Sequence, residues 1–202
     1  MKEKYLTDLQ EIKVIMSRAS RFISLSGLSG VSTGIIALAG VLMAYLIVFK
    51  DQNYLVYHAV ELKNGHLAKL FFLATSTLIL SVVSAVFFTQ RKTKKQNEKV
   101  WDAQTVRLLV NLLIPLITGG VLSLLFIFEG YIGFAPSMTL IFYGLALVNG
   151  SKYTFNEIRT LGIIEILLGL LSFLFIAYSL IFWAIGFGVV QLIYGLVIQR
   201  KY

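Results

Sequence analysis

The sequence predicts an all-α polytopic membrane protein: six transmembrane helices arranged as three antiparallel hairpins, preceded by an N-terminal amphipathic helix. Three observations predict it. Only 14% of the 202 residues are charged and 57% are hydrophobic, whereas a soluble domain carries about 25% charged residues. The charges collect in short stretches between apolar runs, and the mean hydropathy is +0.81. Each run reaches the length of about 20 residues that crosses roughly 30 Å of hydrocarbon. Finally, Lys and Arg favour the same side of the membrane at every connection. A closed barrel, the other way to span a bilayer, would show alternating segments of about ten residues. None is present.

Taken in order, residues 1–21 come first. Leu6, Leu9, Ile12, Met16 and Ala19 recur at helical spacing, and Thr7 with Gln10 has the spacing of a capping box. This reads as a helix lying on the inner membrane face before the first span. The first apolar run is far longer than a signal-peptide core of roughly 7–15 residues, so retention of this segment is expected. The transmembrane domain occupies residues 22–199, with spans at about 22–49, 68–90, 106–128, 131–150, 158–176 and 180–199. Spans three and four are divided only around Glu129 and Gly130, and spans five and six only around Ala177 and Ser179. Such short connections force antiparallel neighbours. Pro115, followed by Thr118, Gly119 and Gly120, predicts a kink in span three.

Orientation follows from the cations. Of 18 Lys and Arg residues, all but Lys50, Lys63 and Lys69 fall on the side that holds both termini. By the positive-inside rule both ends are cytoplasmic. The net charge of +8 is therefore a topology signal, not the clustered basic face of a nucleic-acid binder. Arg91, Lys92, Lys94 and Lys95 form an inner-surface run suited to anionic headgroups of the lipid bilayer. The expected partners are thus lipid, a second copy in a homo-oligomer, or a protein at the cytoplasmic face. Nucleic acid is not among them.

Helices in lipid associate through small residues and interhelical hydrogen bonds. In span one, Ser26, Gly30 and Gly34 form a ridge at spacing four, with Ser29, Thr33 and Ala37 beside it. Span five carries Gly162, Glu165 and Gly169 on one stripe, with Ser172 beyond; span six repeats the pattern as Gly188, Gln191 and Gly195. Counted from the helix ends, Glu165 and Gln191 lie at about the same depth, roughly 10–12 Å in. The expectation is that they approach across the last hairpin, within reach of a hydrogen bond or one water, and that Asn111 of span three joins them. The three form either a structural polar clamp or a protonatable site on a proton or solute path. Intramembrane ionisable groups are costly and face protein or water, which makes Glu165 the sharpest functional clue.

Enzyme chemistry is not indicated. The chain has no cysteine, which excludes thiolate chemistry and Cys-based metal sites. Glu165 has no second intramembrane carboxylate and no span contains a histidine, so no nucleophile–base pair is offered and no catalytic residue is assigned. His58, Glu61 and His66 lie in the outer loop, residues 50–67. Without a fourth ligand they read as solvated side chains, and no metal or other cofactor is expected. The functional reading is a non-enzymatic membrane protein with a structural, sensory or regulatory role. The alternative is a small oligomeric channel or transporter for a proton, ion or small solute, using Glu165.

Three stretches carry a resemblance: Ser20-Arg21-Phe22-Ile23-Ser24-Leu25-Ser26-Gly27-Leu28-Ser29-Gly30, Asn111-Leu112-Leu113-Ile114-Pro115-Leu116, and Phe142-Tyr143-Gly144-Leu145-Ala146-Leu147-Val148-Asn149. Glu157, Arg159 and Gly162 extend it, as does Phe182-Trp183-Ala184 with Gly186-Phe187-Gly188. These stretches resemble an uncharacterised family of small six-span bacterial inner-membrane proteins. The resemblance implies a bacterial cytoplasmic membrane and no particular activity. The last hairpin, with its glycine stripes, is also similar to hairpins of acid-resistance membrane proteins of the HdeD type.

Overall fold

The computed structural model describes residues 26–49, 66–95 and 103–201. The expected N-terminal amphipathic helix and the outer-loop residues His58 and Glu61 lie outside the described residues. Within them the chain is all-α and polytopic. The elements are α1 (Gly27–Ala44), prolonged by a π-helical turn Tyr45–Phe49, α2 (His66–Lys95), α3 (Ala103–Phe128), α4 (Phe134–Gly150) and α5 (Asn156–Leu174). The last span is composite. It runs as α6 (Ser179–Trp183), a π-helical stretch Ala184–Val190, and α7 (Gln191–Lys201).

Five of these helical rods are long and apolar enough to cross a membrane: Gly27–Ile47, Leu67–Lys94, Gln104–Phe128, Phe134–Tyr153 and Ile176–Lys201. The sixth, α5, is 19 residues long and carries three charged residues, Glu157, Arg159 and Glu165. It packs along α4 more extensively than any other pair of elements among the described residues.

Two groups of helices result. One is α1 flanked by α2 and α7; the other is α4 flanked by α3 and α5. The last span joins them, because α6 packs on α4 and α5 while the π stretch and α7 pack on α1. The outer faces of α2 and α3 are apolar and open, with Phe71, Phe72, Ile79, Val83 and Phe87 on one and Leu113, Ile114, Ile117 and Leu125 on the other. In water this surface would be an association liability. Facing hydrocarbon, it is the ordinary exterior of a spanning helix.

The turns follow from local chemistry. At the end of α3 Gly130 adopts φ +86°, a conformation open to a residue without Cβ. Tyr131 N–H donates to the Phe126 carbonyl at 2.8 Å and Gly130 N–H to that of Ile127 at 3.1 Å. This pair of bonds is the Schellman ending. The Phe126 and Tyr131 rings pack edge to face over it, centroids 6.2 Å apart. The expected break around Glu129 and Gly130 is thus found. The break after α5 falls at Phe175, followed by the 3₁₀ turn Ile176–Tyr178.

Span three continues through Pro115 as one helix. Proline cannot donate to the carbonyl four residues back, which here belongs to Asn111. Asn149 of α4 replaces that donor: its Nδ2 reaches the Asn111 carbonyl at 3.0 Å. A neighbouring helix satisfies the group that proline frees, as burial in a membrane requires.

Candidate functional site

The glycine stripes seat the polar residues, but not against each other. On α5, a Cβ at Gly162 would lie 2.7 Å from the Gly144 carbonyl oxygen, and one at Gly169 would strike Ile141 and Leu140. Both neighbours belong to α4. On the last span, Gly188 meets Leu38, and Gly195 meets Gly27, Gly30 and Val31, all of α1. From the other side, Gly30 faces Gly195 and Gln191, and Gly34 faces the Gly188 carbonyl and Leu192. Ser26 is buried at the start of this seam. The small-residue ridge of span one therefore docks on span six, and that of span five docks on span four.

Glu165 lies on α5 between Gly162 and Gly169, fully enclosed at 0% exposure. Neither carboxyl oxygen has a hydrogen-bond partner among the described residues. Its immediate neighbour on the last span is Gly186: a Cβ built there would overlap Glu165 Oε2 and the Leu140 side chain together. Leu140 is likewise at 0% exposure. The same α4–α5 seam holds the Ser137 and Ser172 hydroxyls, hydrogen-bonded at 2.7 Å.

No direct hydrogen bond joins Glu165 and Gln191, which were expected within reach of a hydrogen bond or one water. Gln191 Oε1 instead accepts from the Tyr143 hydroxyl of α4 at 3.3 Å. The glycine stripe that carries Gln191 faces α1 and not α5, since Gly188 and Gly195 both meet α1. Gly186, two residues before Gly188 and so on nearly the opposite face of the helix, lies against the carboxyl, and the stretch Ala184–Val190 that holds both is π-helical.

Asn111 is not beside Glu165 either. Its Nδ2 donates to the Arg107 carbonyl at 2.8 Å and to Tyr153 Oη at 3.3 Å. Its Oδ1 accepts from Asn149 Nδ2 at 3.2 Å. Lys152 Nζ reaches Asn149 Oδ1 at 3.4 Å, which completes a polar knot between the first part of α3 and the end of α4. Asn111 thus belongs to a different group from Gln191, which is bonded to Tyr143.

Tyr143 and Gly186 were not identified from the sequence as part of this site. Tyr143 bonds Gln191 and lies within the electrostatic reach of Glu165. Its ring stacks on Phe187 at 4.8 Å, and Phe187 on Trp183 at 4.7 Å. Trp183 Nε1 in turn donates to Thr139 Oγ1 of α4 at 3.2 Å. The available signal was a tyrosine one residue before Gly144, the glycine that admits α5.

At the C-terminal end of the last span, Lys201 Nζ donates to Glu157 Oε1 and forms an ion pair with it. That bond, with a backbone hydrogen bond, holds the Glu157 carboxyl below the usual carboxylate range. Arg91 and Lys94 are exposed in the last turns of α2 beside Lys92, where cations also complement the helix dipole. Among the described residues no group of three or more His, Asp or Glu is placed to hold a metal ion.

No family model, no curated protein and no solved structure matches this chain.

Proposed function

We propose that this chain is a non-enzymatic multi-pass protein of the bacterial cytoplasmic membrane, with both termini inside, acting as a structural, sensory or regulatory element through self-association or a cytoplasmic protein partner. The observation that carries the reading is the use of its polar side chains. Asn111, Asn149 and Tyr153 tie α3 to α4 and to the turn that follows it; Tyr143 and Gln191 tie α4 to α7. Ser32 and Ser84 tie α1 to α2 at 2.7 Å. These groups fasten helices and do not converge on one reacting point. The bacterial membrane is what the resemblance described above implies. Inward placement of Arg91, Lys92, Lys94 and Lys95 agrees with the positive-inside rule and gives anionic headgroups a surface to meet. The test is reconstitution in liposomes. No ion or solute flux is expected, together with association of labelled copies or capture of a defined cytoplasmic partner. Conduction or solute movement by the pure protein would overturn this reading.

One observation favours a second reading, a small oligomeric channel or transporter for a proton, ion or small solute. Glu165 is the candidate site residue left out of this fastening. If flux exists and Glu165→Gln leaves it unchanged across roughly pH 5–8, this reading loses its basis.

A further inference from the structure

A buried carboxylate is stable only with donors or a cation beside it. Glu165 has neither among the described residues. The elements around it supply little charge. α4 contributes the Tyr143 hydroxyl, already donated to Gln191; α6 and the π stretch contain no titratable residue, and α1 contains none. On α7 the titratable residues are Tyr194, Arg200 and Lys201, the last committed to Glu157. On α5 itself the nearest charge is Arg159, exposed and six residues away, about 9 Å along the axis. The setting suits the neutral acid. The seat is also closed to solvent, with Gly186 and Leu140 beside the carboxyl.

The wall that closes it is the unusual part of the fold. Gly186 and Gly188 lie inside the π-helical stretch Ala184–Val190, and π turns are rare interruptions that recur at functional sites. Shifting the register by one residue to regular α-helix would rotate Gly186 by about 100°, carrying it off the carboxyl. Trp183 and Phe187, stacked on each other and on Tyr143, would move with it.

We propose that Glu165 is a reversible proton-binding site: the carboxyl keeps its proton while seated against Gly186 and Leu140, and gives it to water when the stretch Ala184–Val190 re-registers. The O–H bond breaks, the electron pair stays on the carboxylate and the proton leaves as hydronium. This deepens the second reading above but does not require flux.

The test uses the full chain in liposomes, read by infrared spectroscopy of the carboxylic-acid C=O stretch. Wild type is expected to show a band of an acid without a hydrogen-bond partner. The band should shift on exchange into heavy water, fade reversibly as pH rises, and be absent in Glu165→Gln. With Trp101→Phe in the background, Trp183 emission should change over the same pH interval, and Glu165→Gln should abolish that change. Gly186→Ala, which crowds the carboxyl, should move the titration to lower pH. The proposal is overturned if the band is missing at every pH, if it survives Glu165→Gln, or if it neither exchanges nor titrates. A titrating band without flux would leave this site standing and remove the transport reading. Flux without the band would do the reverse.

Discussion

Asn149 shows how a single side chain can replace backbone. Its amide supplies the donor that Pro115 withholds from the Asn111 carbonyl, and a second contact to Asn111 Oδ1 fixes the angle. Interhelical hydrogen bonds in membranes average about 0.6 kcal/mol and reach about 1.7. Asn149→Ala is therefore expected to destabilise the α3–α4 pair by about 1 kcal/mol in detergent unfolding. In a Pro115→Ala background, where the helix regains its own donor, the same change should cost less. Equal losses in both backgrounds would show that the two residues are not coupled. Proline and asparagine were both visible in the sequence. Their connection was not, because it depends on which helix lies opposite Asn111.

The composite last span explains most of the difference between expectation and structure. Gly188, Gln191 and Gly195 were read as one stripe facing span five. The stripe holds together but faces α1, while Gly186, outside that stripe, lies against Glu165. Spacing within one helix shows which residues share a face, not which neighbour that face meets, and the π-helical stretch Ala184–Val190 has no distinctive residue to announce it. The docking of α1 on α7 leads to a mutational contrast. A Cβ at Gly30 would sit 2.9 Å from the Gly195 Cα, so Gly30→Leu must separate two backbones. A loss of at least about 2 kcal/mol is expected, in the range of overpacked cores. Gly120 on α3 has nothing within 4 Å of its Cβ position, and Gly120→Ala should fall within about 1 kcal/mol of wild type or stabilise. Thermal unfolding in one detergent checks both, and equal effects would contradict the assigned packing.

Across the whole molecule, the Glu157–Lys201 pair joins the start of α5 to the end of α7. Its sign with pH follows from the lowered carboxyl of Glu157. The contribution is present above the ordinary carboxylate range and is lost as pH falls through the lowered value. Both groups are partly solvated, so it amounts to less than about 1 kcal/mol. Glu157→Gln should lower the unfolding temperature slightly at neutral pH, with the difference vanishing in acid. A difference that persists in acid would point to packing instead of charge. The orientation can be read directly, because the chain has no cysteine of its own. Single cysteines at Lys94 and Lys201 should react with a membrane-impermeant reagent only from the cytoplasmic side, and one at Tyr131 only from the outside. Any other pattern would reverse the topology argued from Lys and Arg.

The sequence by itself determined the all-α membrane class, the approximate spans and the turn at Gly130. Solvent partitioning and glycine chemistry act locally and leave a readable pattern. It also marked Glu165 as exceptional, because a carboxylate within an apolar run is costly wherever the helix packs. Only the tertiary structure decided what each polar and small residue faces: Gly162 and Gly169 against α4, Gln191 against Tyr143, Asn111 against Asn149, and Glu165 against Gly186 and Leu140. The physical reason is that helix pairing in lipid has no hydrophobic direction of its own. It is selected by close backbone approach and by the phase of each helix against its neighbours, which spacing within a single helix does not reveal.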